Sequence, residues 1–195
     1  MKKYVPYIRR CLPGAQGEAA IAEAKSRLQE LLRENAGEPM AVRFHTRGTI
    51  YPAIAVFDTL TRHGVSREDA VGVCCAYFAD HARPAARKIR AMARVPGVYR
   101  LIIPIFALMT KKAFGPASGF EQKWYDTPKN ELRADILACP YYNTCARYGC
   151  PELTRAFCES DDVCYGDMHP KLVWGRTKTI GKGGDCCDFR ITRLP

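Results

Sequence analysis

The sequence predicts an α+β fold: a helical N-terminal part, then an antiparallel sheet of about four strands carrying an inserted helix. Two observations predict it. Up to about residue 114 the apolar residues recur every three to four positions, the period of a helix. After Gly115-Pro116 they alternate on either side of turn-forming segments, the period of strands in hairpins. A third observation bounds the answer: 195 residues with 47% apolar and 26% charged side chains fit a single domain. That domain spans 1–195, with its helical part roughly 1–114 and its α+β part roughly 115–195.

The elements follow in order. Residues 18–36 place Ile21, Ala24, Leu28, Leu31 and Leu32 on one face, with glutamates early and Gly37 as a stop. A second helix runs from about Tyr51 to His63, with Ile54, Phe57, Asp58 and Thr61 at helical spacing. Ser66 and Asp69 then stand in capping-box relation. The helix they start buries Val71, Cys74, Cys75, Phe78, Ala82, Ala85 and Ile89, and Pro84 is expected to kink or break it. Residues 119–139 read as a hairpin around Thr127-Pro128-Lys129-Asn130. The stretch 139–162 returns to helix, with Pro151 at a first turn. Finally 171–193 forms a second hairpin-like pair of strands around Gly181–Gly184.

Charge and apolar runs bound the partners. The net charge is +10, and the excess sits before residue 113: residues 1–112 hold 19 Lys+Arg against 9 Asp+Glu. No nucleic-acid motif accompanies it, so nucleic-acid binding is not expected. Arg83, Arg87, Arg90 and Arg94 make a basic stripe on one helix face, read as a solvated face or as a docking surface or funnel for an anion. The longest apolar run, 98–109, contains Arg100 and is too short for a bilayer. The N-terminal MKKYVPYIRRCLPG lacks an apolar signal region. The chain therefore reads as cytoplasmic with no membrane partner, its oligomeric state open.

Ten cysteines in a reducing compartment must be packing residues, metal ligands or catalysts. Cys139, Cys145, Cys150, Cys158 and Cys164 are crowded, but five, four, seven and five residues separate them. No CxxC pair or Cys/His knuckle occurs, so no cofactor is expected, with zinc kept as the alternative. Cys74 and Cys75 sit at core spacing and read as inert buried thiols. His45 and His63 read as exposed and His169 as loop, and His81 forms no dyad with Asp80.

Three stretches occur in the order YPAIAVFDTLTRHGVSREDAVGV, CPYYNTCARYGCPELTRAFCESDD and WGRTKTIGKGGDCCDFRI. Together they resemble the L-2-amino-thiazoline-4-carboxylic acid hydrolase family, bacterial proteins of similar size. The likeness covers roughly 50–193. It is carried by Cys139-Pro140-Tyr141, Cys145, Glu152-Leu153, Phe157-Cys158, Asp161-Asp162, Arg176-Thr177 with Thr179, and Gly183-Gly184 before Cys187-Asp188-Phe189.

The resemblance implies a small-molecule substrate and a hydrolase reaction. Water adds to the amidine carbon of a 2-aminothiazoline ring, and a ring bond breaks to leave a carbamoyl-cysteine. That needs a thiolate or carboxylate-activated water, an acid for the leaving atom, and a cation for the substrate carboxylate. The C-terminal segment offers Cys186 or Cys187, Asp162 or Asp188, and Arg176 or Arg190. Cys187, Phe189 and Ile191 should face the core, opposite Cys186, Asp188 and Arg190, so Cys187 and Asp188 share a site only if a bulge or the glycine turn re-aims one. With the family likeness, the expected catalytic residues are Cys187, Asp188 and Asp162. Arg176, Cys139, Tyr141 and Thr177 are the expected substrate contacts. The competing reading is a thiol-rich module that binds a metal ion or small ligand without turnover.

Overall fold

A computed structural model describes residues 1–195. Eight helices and four strands follow the expected α+β order. The helices before the sheet are α1 (Val5–Cys11), α2 (Gly14–Glu34), α3 (Met40–His45), α4 (Tyr51–Arg62), α5 (Arg67–Ala93) and α6 (Tyr99–Ala113). Then come β1 (Glu121–Trp124) and β2 (Glu131–Ala138), the inserted helices α7 (Pro140–Arg147) and α8 (Thr154–Tyr165), and β3 (Leu172–Gly175) and β4 (Cys187–Arg193). The chain packs as two compact units interleaved in sequence, one of residues 1–78 and 141–157, the other of 79–140 and 158–195.

In the first unit α4 is the central helix. Its opening run, Tyr51 to Phe57, carries no charge, and nine of its residues are buried, so it is apolar on every side, as an enclosed helix must be. Its one acid, Asp58, meets Arg27 at 2.9 Å across α2, a charge paired as burial requires. Ser66 caps α5 as the sequence predicts: the Asp69 amide donates to Ser66 Oγ at 3.1 Å, and Ser66 Oγ donates to the Asp69 carboxylate at 2.6 Å. The Cys74 thiol is fully buried, and burial raises its pKa far above the ordinary value.

Three expectations change here. His45 and His63 are not exposed: His45 is buried with Nδ1 3.1 Å from the Tyr141 hydroxyl, and His63 Nε2 lies 2.9 Å from Glu23. A π-helical turn, Thr46–Ile50, joins α3 to α4, and Phe44 rather than His45 takes the outward position. Helix α5 is not broken at Pro84 but runs on to Ala93. Pro84 and Asp80, four residues earlier, are both exposed, so the backbone bond that the proline removes lies on the solvent side of α5. Past the proline the buried position is Ala86, not Ala85.

In the second unit the sheet is fully antiparallel in the order β1-β2-β4-β3. β4 pairs with β2 so that Cys187, Phe189 and Ile191 lie opposite Ile136, Ala134 and Leu132. Side chains directly opposite share a face. This is the core face, and with α6 and Trp174 it encloses Ile103, Leu132, Met168, Leu172 and Ile191. The other face sets Asp188 opposite Asp135 and Arg190 opposite Arg133, and Arg190 makes its cross-strand ion pair with Glu131 at 3.1 Å.

Candidate functional site

The chemistry of the second unit gathers on the core face of the sheet, at the edge where α8 lies over β3 and β4. Cys158, Asp161, Asp162 and Tyr165 stand at i, i+3, i+4 and i+7 on α8, one helix face. Arg176 follows β3 and reaches that face. Its Nη2 donates to the Cys158 carbonyl at 2.5 Å and to Asp162 Oδ2 at 2.7 Å. Trp174 Nε1 donates to Asp162 Oδ1 at 3.1 Å, so both oxygens of Asp162 are held. Asp161 stands 3.5 Å from Arg176 Nη1.

Arg176 is the buried member of this group, its side chain 8% exposed against 41% for Asp161 and 49% for Asp162. Its guanidinium lies over the Phe189 ring with the carbon 5.5 Å from the centroid, a desolvated cation–π contact. Nη1 is buried and makes no hydrogen bond. A guanidinium has five N–H donors, and at 3.5 Å Asp161 pairs with Nη1 by charge without closing a hydrogen bond, which leaves donor capacity that a ligand oxygen can take. Phe106, Tyr165, Trp174 and Phe189 form a continuous aromatic wall beside it, with ring centroids 5.1–5.3 Å apart along the chain of contacts.

Electrostatics separates the groups. Burial raises the Asp161 carboxyl to about 7, Arg176 opposing and Asp162 adding to the rise. Asp161 is crowded by protein yet keeps much of its side chain open to water. Burial also pushes the Cys158 thiol up to about 12, against Arg176, with Cys187, Asp161 and Cys139 near enough to add to it. Cys187 is raised for the same reason, although the Ile180 amide donates to its sulfur at 3.3 Å and Arg176 favours the thiolate. Arg176 itself is raised: its burial is outweighed by Asp162 and Asp161.

The glycine turn makes the Cys187 contact. Gly183 has φ +84°, a left-handed conformation that costs a side chain, and a Cβ on Gly184 would stand 3.0 Å from the Thr179 carbonyl. Both glycines let the short 3₁₀ turn Ile180–Lys182 fold back over the start of β4.

The expected site residues therefore divide. Cys187, Asp162 and Arg176 come together on the core face, and Cys139, just past the end of β2, lies near Cys158. Asp188 points to the other face, where Oδ1 accepts the amides of Thr177 and Lys178, each at 2.8 Å, and Oδ2 accepts the Thr177 hydroxyl at 2.6 Å. No bulge re-aims it, and it does not share the face of Cys187. It pins the turn that follows Arg176. Thr177 is spent in that contact, and Tyr141 belongs to the first unit, its hydroxyl against His45. Sequence reasoning named Asp162 among the catalytic residues and left Asp161 and Cys158, present in the family motifs, without a role. The i, i+3, i+4, i+7 spacing from Cys158 to Tyr165 was the available signal, hidden because it reads equally as an amphipathic face. No group of three or more His, Cys, Asp and Glu side chains has the geometry to hold a metal ion.

The family model for L-2-amino-thiazoline-4-carboxylic acid hydrolase matches residues 43–191. The chain belongs to this family. The match takes in α4 through most of β4, and so every member of the Arg176 cluster. As a member of the L-2-amino-thiazoline-4-carboxylic acid hydrolase family the chain carries a hydrolase name at the level of the family. Comparison with curated proteins and with solved structures gave no match. No helix is long and apolar enough to cross a membrane.

Proposed function

We propose that this chain is a hydrolase that opens a small cyclic C–N/C–S substrate bearing a carboxylate, such as a 2-aminothiazoline carboxylate. The observation that carries the reading is the buried Arg176, whose Nη1 faces Asp161 at 3.5 Å without closing a hydrogen bond, beside that same carboxyl raised to about 7. A desolvated Arg–carboxylate contact is strong and directional.

In this reading Arg176 Nη1 binds the substrate carboxylate, and Asp162, occupied on both oxygens, holds Arg176 in place. Asp161 is the acid/base. As carboxylate it takes a proton from water while the water oxygen bonds to the amidine carbon, and it returns that proton to the ring atom that leaves. The ring C–S or C–N bond breaks, and the product is the substrate plus one water. A carboxyl titrating near 7 suits both halves of this exchange. Cys187 and Cys158 stand beside Arg176, with Cys139 near Cys158, as thiols, since burial holds Cys187 and Cys158 in the protonated form at neutral pH. Asp188 acts through the Thr177–Lys178 turn, as a positioning residue.

The test is incubation with 2-aminothiazoline-4-carboxylate and with 2-aminothiazoline lacking the carboxylate, followed by mass spectrometry for a product one water heavier. Turnover of the carboxylate compound alone is expected. Arg176→Gln should raise KM, and Asp161→Asn should lower kcat by at least about a hundredfold. Turnover unchanged in Asp161→Asn removes Asp161 from the mechanism. Saturable binding without any product moves the protein to the binding-module reading.

A further inference from the structure

Helix α6 is apolar on two faces, and only one of them is covered. Ile102, Ile103, Phe106 and Ala107 pack on the second unit's core. On the opposite arc Leu101, Ile105, Leu108 and Met109 recur at spacings of four, three and one, and each is between 51% and 65% exposed. Met92 and Val95, at the end of α5 and in the turn that follows, are exposed as well. A helix apolar all round is ordinarily enclosed, so this arc lacks its partner.

The charge around the arc identifies the partner. Residues 81–120 contain eight Lys and Arg and no Asp or Glu, so this stretch supplies most of the chain's net charge of +10. Arg100 opens α6 and Lys111 and Lys112 close it, all exposed. Arg87, Lys88, Arg94 and Lys112 make no ion pair, whereas Arg90 meets Asp167 at 2.8 Å. A protein interface mixes signs at its rim and is depleted in lysine. Long aliphatic side chains flanked by cations of one sign fit the headgroup layer of an anionic bilayer, with the Lys and Arg stems reaching up to the phosphates. At 15 residues α6 is about 22 Å long, too short to span but suited to lie in the interface plane.

We propose that the exposed face of α6, with the basic end of α5, is a peripheral docking surface for an anionic lipid membrane. The expectation of no membrane partner rested on the lack of a spanning segment, and attachment of this kind needs none. Of the stripe read from the sequence, Arg87 and Arg94 are then the electrostatic part of the surface, since Arg83 and Arg90 are paired with Asp80 and Asp167, and the apolar part is the outer arc of α6.

The full chain is floated with vesicles of phosphatidylcholine alone and of phosphatidylcholine with phosphatidylglycerol, in low and in high salt. Flotation is expected only with phosphatidylglycerol, weakened by salt. The double substitution Ile105→Gln/Leu108→Gln should reduce it at least about tenfold. The substitutions Arg94→Gln and Lys112→Gln should reduce it by about fivefold each. Circular dichroism of each variant confirms that it is folded, and the charge variants test the surface independently of the apolar ones. Absence of flotation at low salt overturns the proposal. Flotation unaffected by Ile105→Gln/Leu108→Gln overturns it too, since binding would then be electrostatic adsorption elsewhere. A dimer in vesicle-free buffer that the same double substitution dissolves assigns the face to a second copy of the chain, and also overturns it.

Discussion

Arg176 and Asp162 meet at 2.7 Å, and the cation is the buried partner while the carboxylate is half exposed. The asymmetry matters for stability. Removing the acid leaves a desolvated guanidinium with only the Cys158 carbonyl and the more distant Asp161, whereas removing the cation leaves two carboxylates that water can reach. Asp162→Ala is therefore expected to cost about 1–3 kcal/mol and Arg176→Met less, measured by urea unfolding. The reverse ranking would show that the cation, not the acid, carries the contact.

Asp161 and Asp188 should drive stability in opposite directions with pH. The folded Asp161 is raised to about 7, above an unfolded value near 4, so the native state holds its proton longer and stability falls as pH rises between them. Asp188 is lowered, its burial outweighed by the hydrogen bonds from Thr177 and Lys178, so its contribution is present above about 4 and is lost as pH falls through the folded value. Asp161→Asn should gain on the parent protein between pH 5 and pH 8, by about 1 kcal/mol once its open surface is discounted. Asp188→Asn should lose stability at pH 8 and differ little at pH 3. Urea midpoints across pH decide both.

A base with a pKa near 7 shapes the rate profile. For the proposed reaction kcat/KM should rise through pH 7 and level off above it, and Asp161→Asn should abolish that limb. A limb near 7 that survives the substitution belongs to another group.

The thiols of the cluster should be slow. With Cys158 pushed up to about 12, its alkylation at pH 7 should run about three orders of magnitude below a free thiol of pKa about 8.5, and Cys187 should also be retarded. Peptide mapping after iodoacetamide measures it. Selective, fast labelling of Cys187 at neutral pH would return it to the role of activated nucleophile.

Loosening the turn after Arg176 should reach the substrate. Asp188→Ala deletes an acceptor of three hydrogen bonds, and raised KM with little change in kcat is the expected split. A fall in kcat alone would place Asp188 in the chemistry rather than behind it.

Much of the fold was legible because its signals are local. The helix over 51–62, the Ser66–Asp69 cap and both hairpins rest on residues two to four positions apart, and period two alone turned Cys187 inward and Asp188 outward. The misreadings arose where a local rule met a longer constraint. A π turn and packing buried His45, and α5 passes Pro84 on its exposed side.

By itself the sequence determined the α+β order, the family motifs and the residue types of the candidate site, because composition and periodicity are properties of short stretches. Only the tertiary structure decided which of those residues meet. Arg176 is fourteen residues from Asp162 and eighteen from the Cys158 carbonyl, and they touch because α8 is packed across the end of β3. Burial of that arrangement, not the identity of its members, raises the Asp161 carboxyl and keeps the neighbouring thiols protonated. Desolvation depends on everything packed around a group, and a chain read four residues at a time does not contain it.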